Sequence, residues 1–109
     1  MEIFNQRSPE ARMEAIKKYY ANDIIFYEPE SITQGYEAIS GVAQALLDKT
    51  PGWVFSPIGK AIANHDMAIL SWSFGPPGDV KVKGKDIILV ENSKIKVLYV
   101  VIEGTSEVD

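Results

Sequence analysis

Apolar positions change period once along the chain, at about Trp53, and that change predicts two helices followed by a sheet. In the first half Met13, Ile16 and Tyr20 recur at helical spacing, with Ala15 and Tyr19 flanking the same face. Ser8-Pro9-Glu10 ahead of them reads as a helix start. Serine caps, proline takes the first position where no N–H is needed, and the acid favours the positive end. Asn22-Asp23 closes this helix, and residues 1–7 leave room for a short extra turn at most. Residues 24–28 form a short β-rich strand that ends on Glu28, where Pro29 stops it. A second helix, from about Tyr36 to Asp48, places Ile39, Val42, Ala43, Leu46 and Leu47 on one stripe and ends at Thr50-Pro51-Gly52.

Beyond Trp53 the period is two. Residues 53–63 form a strand that Pro57 and Gly59 bend or confine to a sheet edge, and Asn64-His65-Asp66 turns the chain. In "AILSWSFG", residues 68–75, Ala68, Leu70, Trp72 and Phe74 share one face, and Ile69, Ser71 and Ser73 share the other. Pro76-Pro77-Gly78-Asp79 makes the next turn, residues 80–91 a strand, Asn92-Ser93 a turn, and residues 95–103 the last strand. Two helices split by one short strand, followed by a four-strand antiparallel meander, predict a single α+β domain over residues 1–109.

Composition narrows the functional classes. With 46% hydrophobic residues the chain has enough apolar material for a core without disulfides. The absence of cysteine removes thiolate metal sites and thiol nucleophiles, and fits a cytoplasmic protein. A net charge of −4 argues against nucleic acid, which rewards a basic face. Lys81, Lys83 and Lys85 alternate, which puts them on the solvated face of one strand. No apolar run follows a basic N-terminal region, and no stretch nears the roughly 18 apolar residues of a membrane span. The only histidine, His65, falls in a turn, and no phosphate-binding glycine loop, G-x-S-x-G elbow or H-E-x-x-H pair occurs. No cofactor or metal ion is therefore expected.

Five stretches, in this order, resemble the nuclear transport factor 2-like superfamily and its SnoaL-like polyketide cyclase branch: "YYANDIIFYEP" (19–29), "GYEAISG" (35–41), "PGWVF" (51–55), "LSWSFGPPG" (70–78) and "ENSKIKVLYVV" (91–101). The resemblance implies an α+β barrel of the cystatin-like type: a cone-shaped, bent antiparallel sheet curled around N-terminal helices. A pocket opens between the two, and homodimers form through the sheet. It leaves function open, because this fold hosts isomerases, cyclases, hydrolases and non-catalytic modules.

Within that frame Glu28 and Asp86 are the candidate catalytic acids. In the ketosteroid isomerase relatives, an aspartate just before the strand-ending proline moves the proton beside a carbonyl, and "NDIIFYEP" puts Glu28 on that position. Such chemistry needs a carboxylate in a partly dry pocket, with a pKa near the working pH. Asp86, just ahead of "IILV", resembles the pocket aspartate of the cyclases; buried, it would stay protonated and donate a hydrogen bond. The isomerase's oxyanion tyrosine has no matching position; Tyr20, on the inward helix face, is the substitute by location. The pocket is expected to be lined by Tyr20, Phe26, Trp53, Leu70, Trp72, Phe74, Leu98 and Val100, with Ile39, Val42 and Leu46 closing over it. Its expected volume is roughly 300 Å³. Two functions fit: binding of a small apolar ligand without catalysis, or cofactor-independent isomerase or aldol cyclase chemistry using Glu28 with Asp86. Ile69 and the valines on the outer sheet face add the expectation of a homodimer.

Overall fold

The computed structural model describes residues 2–105. Its elements are α1 (Glu2–Asn5), α2 (Pro9–Tyr19), β1 (Tyr20–Tyr27), β2 (Ile32–Gln34), α3 (Tyr36–Lys49), β3 (Val54–Asn64), β4 (Met67–Gly75), β5 (Val82–Glu91) and β6 (Lys94–Ile102). Ser8 caps α2 as its pattern requires, its hydroxyl accepting from the Ala11 N–H, with Pro9 in the first turn. The helix ends earlier than Asn22-Asp23. Its cap is Tyr20, already extended at φ −101° and ψ 143°, and Tyr20 is the first residue of β1 instead of part of a helix face. The cause is distant in sequence: Lys94 Nζ donates to the carbonyls of Lys17 and Lys18, satisfying the last turn, and Tyr20 pairs with Ile95 of β6.

Pro29 does not simply stop β1 but turns it into a hairpin. Glu28 N–H donates to Ser31 O at 2.9 Å across Pro29-Glu30, and β2, which local pattern does not predict, returns antiparallel along β1. The sheet runs β2-β1-β6-β5-β4-β3. The meander from β3 to β6 is antiparallel as expected, but β1 joins β6 in parallel, so the sheet is mixed. β3 is an edge strand, as Pro57 and Gly59 suggest; its register against β4 shifts between Ile58 and Ile62, and Gly59 takes φ 70°.

The sheet curls around the helices. Ile16, Ile24, Ile39, Phe26 and Leu98 form the core under α2 and α3, joined by Ile3 from α1. Registers place two apolar rows on the outer face, away from the helices. One is Ile69, Ile87, Tyr99 and Tyr27; the other is Met67, Leu89, Val97 and Ile25. Tyr27 and Tyr99 stack at 4.6 Å between ring centroids, with Tyr99 exposed. Lys81, Lys83 and Lys85 point to solvent. Among the described residues no helix is long and apolar enough to cross a membrane.

Candidate functional site

Between the concave sheet face and the helices lies a cavity of about 690 Å³, well above the expected size. The reason is visible in α3. Ile39 turns into the core beside Ile3 and Ile16, so only Val42 and Leu46 of the expected cover reach the cavity. The rest of the roof comes from α1, through Ile3 and Phe4. That short helix is tied down from two sides. The Asn5 side chain accepts from Phe55 N–H at 2.7 Å and donates to Phe55 O at 2.9 Å, as a neighbouring strand would. Arg7 donates to Leu47 O, Thr50 O and Trp53 O, fixing the loop that carries Trp53 to the rim.

All eight expected pocket residues line this cavity. Alternation on β4 carries Leu70, Trp72 and Phe74 inward, Leu98 and Val100 follow on β6, and Phe26 and Tyr20 on β1. Two aromatic residues complete the wall. Phe55 stacks on Phe74 at 4.0 Å and meets Trp72 edge-on at 5.2 Å, while Phe4 bridges Phe26 and Phe55 edge-on at 5.5 and 6.2 Å. Phe55 was legible, two positions after Trp53 in a period-two run; Phe4, in a four-residue helix, has no local signal.

Polar groups are few. Among the described residues the ionisable side chains on the cavity are Tyr19, Tyr20, Glu28 and Asp86. Asp86 faces inward, and its Oδ1 accepts from Trp72 Nε1–H at 2.9 Å. Burial pushes its carboxyl above the usual aspartate range, and the Trp72 bond, which favours the ionised form, offsets part of that. Its Oδ2 makes no hydrogen bond among the described residues. Tyr20 is 5% exposed, and burial first, then the nearby Asp86 charge, push its phenol well above the ordinary tyrosine value. Its hydroxyl likewise has no partner among the described residues. Glu28 lies on the cavity wall at the start of the β1–β2 turn, half-buried, with Oε1 accepting from the Ser31 hydroxyl at 3.1 Å. His65 is exposed in the β3–β4 turn at φ 53°, apart from the cavity.

The arrangement offers a large apolar volume with spare hydrogen-bonding capacity at Asp86 and Tyr20, and a second carboxylic side chain, Glu28. No family model matches the chain, and no curated protein does either. Solved structures do. A candidate isomerase of the SnoaL-like family from Agrobacterium tumefaciens superposes with a TM-score of 0.87 at 21% identity, over 94% of this chain and 89% of that one. A candidate SnoaL-like polyketide cyclase from Jannaschia sp. superposes at 0.75 and 8% identity, over 99% and 89%. A de novo designed protein with a curved β-sheet reaches 0.72 at 16% identity, over 94% and 78%. The fold is therefore the SnoaL-like, nuclear transport factor 2-like α+β fold. A designed protein among its neighbours underlines that this likeness speaks for architecture and not for activity.

Proposed function

We propose that this chain of nuclear transport factor 2-like fold binds a small, largely apolar molecule carrying one hydrogen-bond acceptor. Asp86 and Tyr20 hold the acceptor. The observation that supports this is the spare hydrogen-bonding capacity of two groups, the buried Tyr20 and the half-buried Asp86, on the wall of a 690 Å³ apolar cavity. Among the described residues no enclosed side-chain polar atom lacks a partner, so the free oxygens of Asp86 and Tyr20 open onto the cavity, where a ligand with one polar group can complete them. Protonated, Asp86 accepts from Trp72 through Oδ1 and donates through Oδ2, which suits a carbonyl oxygen. The test compares apolar ketones with their matched hydrocarbons by quenching of tryptophan fluorescence, since Trp53 and Trp72 both line the cavity. The ketone should bind about fivefold to tenfold tighter, the worth of one net hydrogen bond. Equal affinity for both, or no quenching by either, overturns the reading.

A second reading is favoured by Glu28, which shares the cavity with Asp86. Here Glu28 takes the proton beside the carbonyl while Asp86 and Tyr20 donate to the developing enolate oxygen, as an isomerase or aldol cyclase requires. Deuterium exchange at the α-carbon of a bound ketone, followed by NMR, tests it. Catalysed exchange that Glu28→Gln abolishes supports the reading, and exchange at the buffer rate sinks it.

The apolar rows on the outer sheet face support a homodimer, in which a second copy covers Ile69, Ile87, Tyr99 and Tyr27. Light scattering should return twice 12.1 kDa at micromolar concentration, and a 12.1 kDa species would end this idea.

A further inference from the structure

Trp72 and Gly84 face each other directly across β4 and β5, and Asp86 follows two residues along β5 on the same side. Gly84 is buried, and its backbone is not in a conformation reserved for glycine. What excludes a side chain there is contact. A Cβ at residue 84 would sit 2.6 Å from Cζ2 and 2.8 Å from Cη2 of Trp72, and 2.5 Å from Val101 O. The benzo edge of the indole thus lies over the bare backbone of Gly84. The nitrogen on the same ring edge reaches Asp86 Oδ1 at 2.9 Å.

We infer that Gly84 is a positioning residue of this site: the absent side chain lets the Trp72 indole lie along β5, where it holds Oδ1 of Asp86 and leaves Oδ2 as the one oxygen free for a ligand. A side chain at residue 84 would lift the ring away from β5. Asp86 would then lose its internal donor, and either oxygen could turn to the cavity. The geometry also explains why the wall can be both aromatic and polar at one place, since the ring covers Gly84 and orients Asp86 in a single packing arrangement. This inference rests on the reading of Asp86 as the cavity's polar anchor. Its test reads the Asp86 proton itself and needs no ligand, so it stands or falls apart from the binding experiment.

The experiment follows the carboxyl carbon of Asp86 by NMR against pH, with Asp86→Asn to assign the signal. The other ionisable groups on the cavity, Tyr19, Tyr20 and Glu28, are unchanged in every variant. Trp72→Phe removes the N–H that favours the ionised form, so the Asp86 midpoint should move upward. Gly84→Ala keeps the tryptophan but displaces its ring, and should move the midpoint in the same direction. A purely structural glycine would lower the melting temperature and leave the midpoint where it was, and that result in a folded Gly84→Ala protein overturns the inference. If Gly84→Ala does not fold, the Trp72→Phe/Gly84→Ala double variant decides. A phenyl ring is too short to lie over residue 84, so the double variant should recover part of the melting temperature that Gly84→Ala loses, the contact with the Val101 carbonyl remaining. A double variant as unfolded as Gly84→Ala would show that the Val101 carbonyl, not the indole, demands glycine, and would equally overturn the inference.

Discussion

Arg12 and the Asp86–Tyr20 pair are both withdrawn from water, and they use their hydrogen bonds in opposite ways. Arg12 is fully buried between α2 and α3, yet each of its nitrogens donates: Nε to Gln6 O, Nη1 to Ser40 O and Oγ, Nη2 to Gln44 Oε1. Gln44 in turn donates to Asp48 at 2.7 Å. Burial pulls the guanidinium pKa below its ordinary value, and the Asp48 charge restores part of it. In the cavity, by contrast, Asp86 has spent one oxygen on Trp72 and Tyr20 has spent nothing. Arg12 sits where helix packs on helix and its neighbours close in from every side. Tyr20 and Asp86 face the space that a bent sheet leaves open. A buried polar group with its bonds complete serves the fold, whereas one with capacity left over is available to a ligand.

Arg12→Ala should break the complete site most severely. It leaves the partners at Gln6, Ser40 and Gln44 without a donor, so unfolding in urea should show a loss of about 3 kcal/mol. Ketone affinity of the protein that remains folded should hold, and a matching loss of affinity would merge the two sites into one. Asp86→Asn should act the other way, in a pH-dependent manner. The folded state keeps the Asp86 proton at pH values where the unfolded chain, with an ordinary value near 3.8, has released it. The native protein's Asp86 contribution is thus whole below that value and is lost as pH rises through the raised one. Asparagine accepts from Trp72 and donates to the cavity at every pH, so the variant should be the more stable protein above the Asp86 titration and lose that advantage in acid. Equal stability at all pH values would deny that Asp86 is desolvated.

Two hydroxyl deletions sharpen the contrast further. Ser40→Ala takes one acceptor from Arg12 and should cost about 1 kcal/mol, read by the same urea titration. Tyr20→Phe removes a hydroxyl with no internal partner, so stability should change by less than about 0.5 kcal/mol. Ketone affinity should fall about fivefold. A Tyr20→Phe variant that is destabilised as much as Ser40→Ala would place Tyr20 among the structural groups.

Much of the site was legible because period-two alternation needs no knowledge of the fold. It put Leu70, Trp72 and Phe74 on one face of β4 and Leu98 and Val100 on one face of β6, and these are cavity residues. The same rule failed at Ile39, which shares a helical stripe with Val42 and Leu46 but turns into the core. A stripe wide enough to meet two surfaces does not say which residue meets which. Asp86 could be read either way from its strand alone, because a shift of one residue reverses its face. The β4–β5 register resolved it by setting Trp72 opposite Gly84 and bringing the indole N–H to Asp86.

The chain's own local chemistry determined the Ser8-Pro9 helix start, the turns of the meander, the edge character of β3, the order of elements apart from β2, and the sheet face that carries the aromatics. Each of these depends on residues a few positions apart, where sterics and capping act without help from the rest of the molecule. Tertiary structure alone decided where α2 stops, since Lys94 closes it from β6. It also decided that β1 lies parallel to β6, that every nitrogen of the buried Arg12 finds an acceptor, and that Asp86 and Tyr20 keep bonding capacity facing a common cavity. Those outcomes depend on partners dozens of residues away, brought together by closure of the sheet, and local propensity carries no information about such partners.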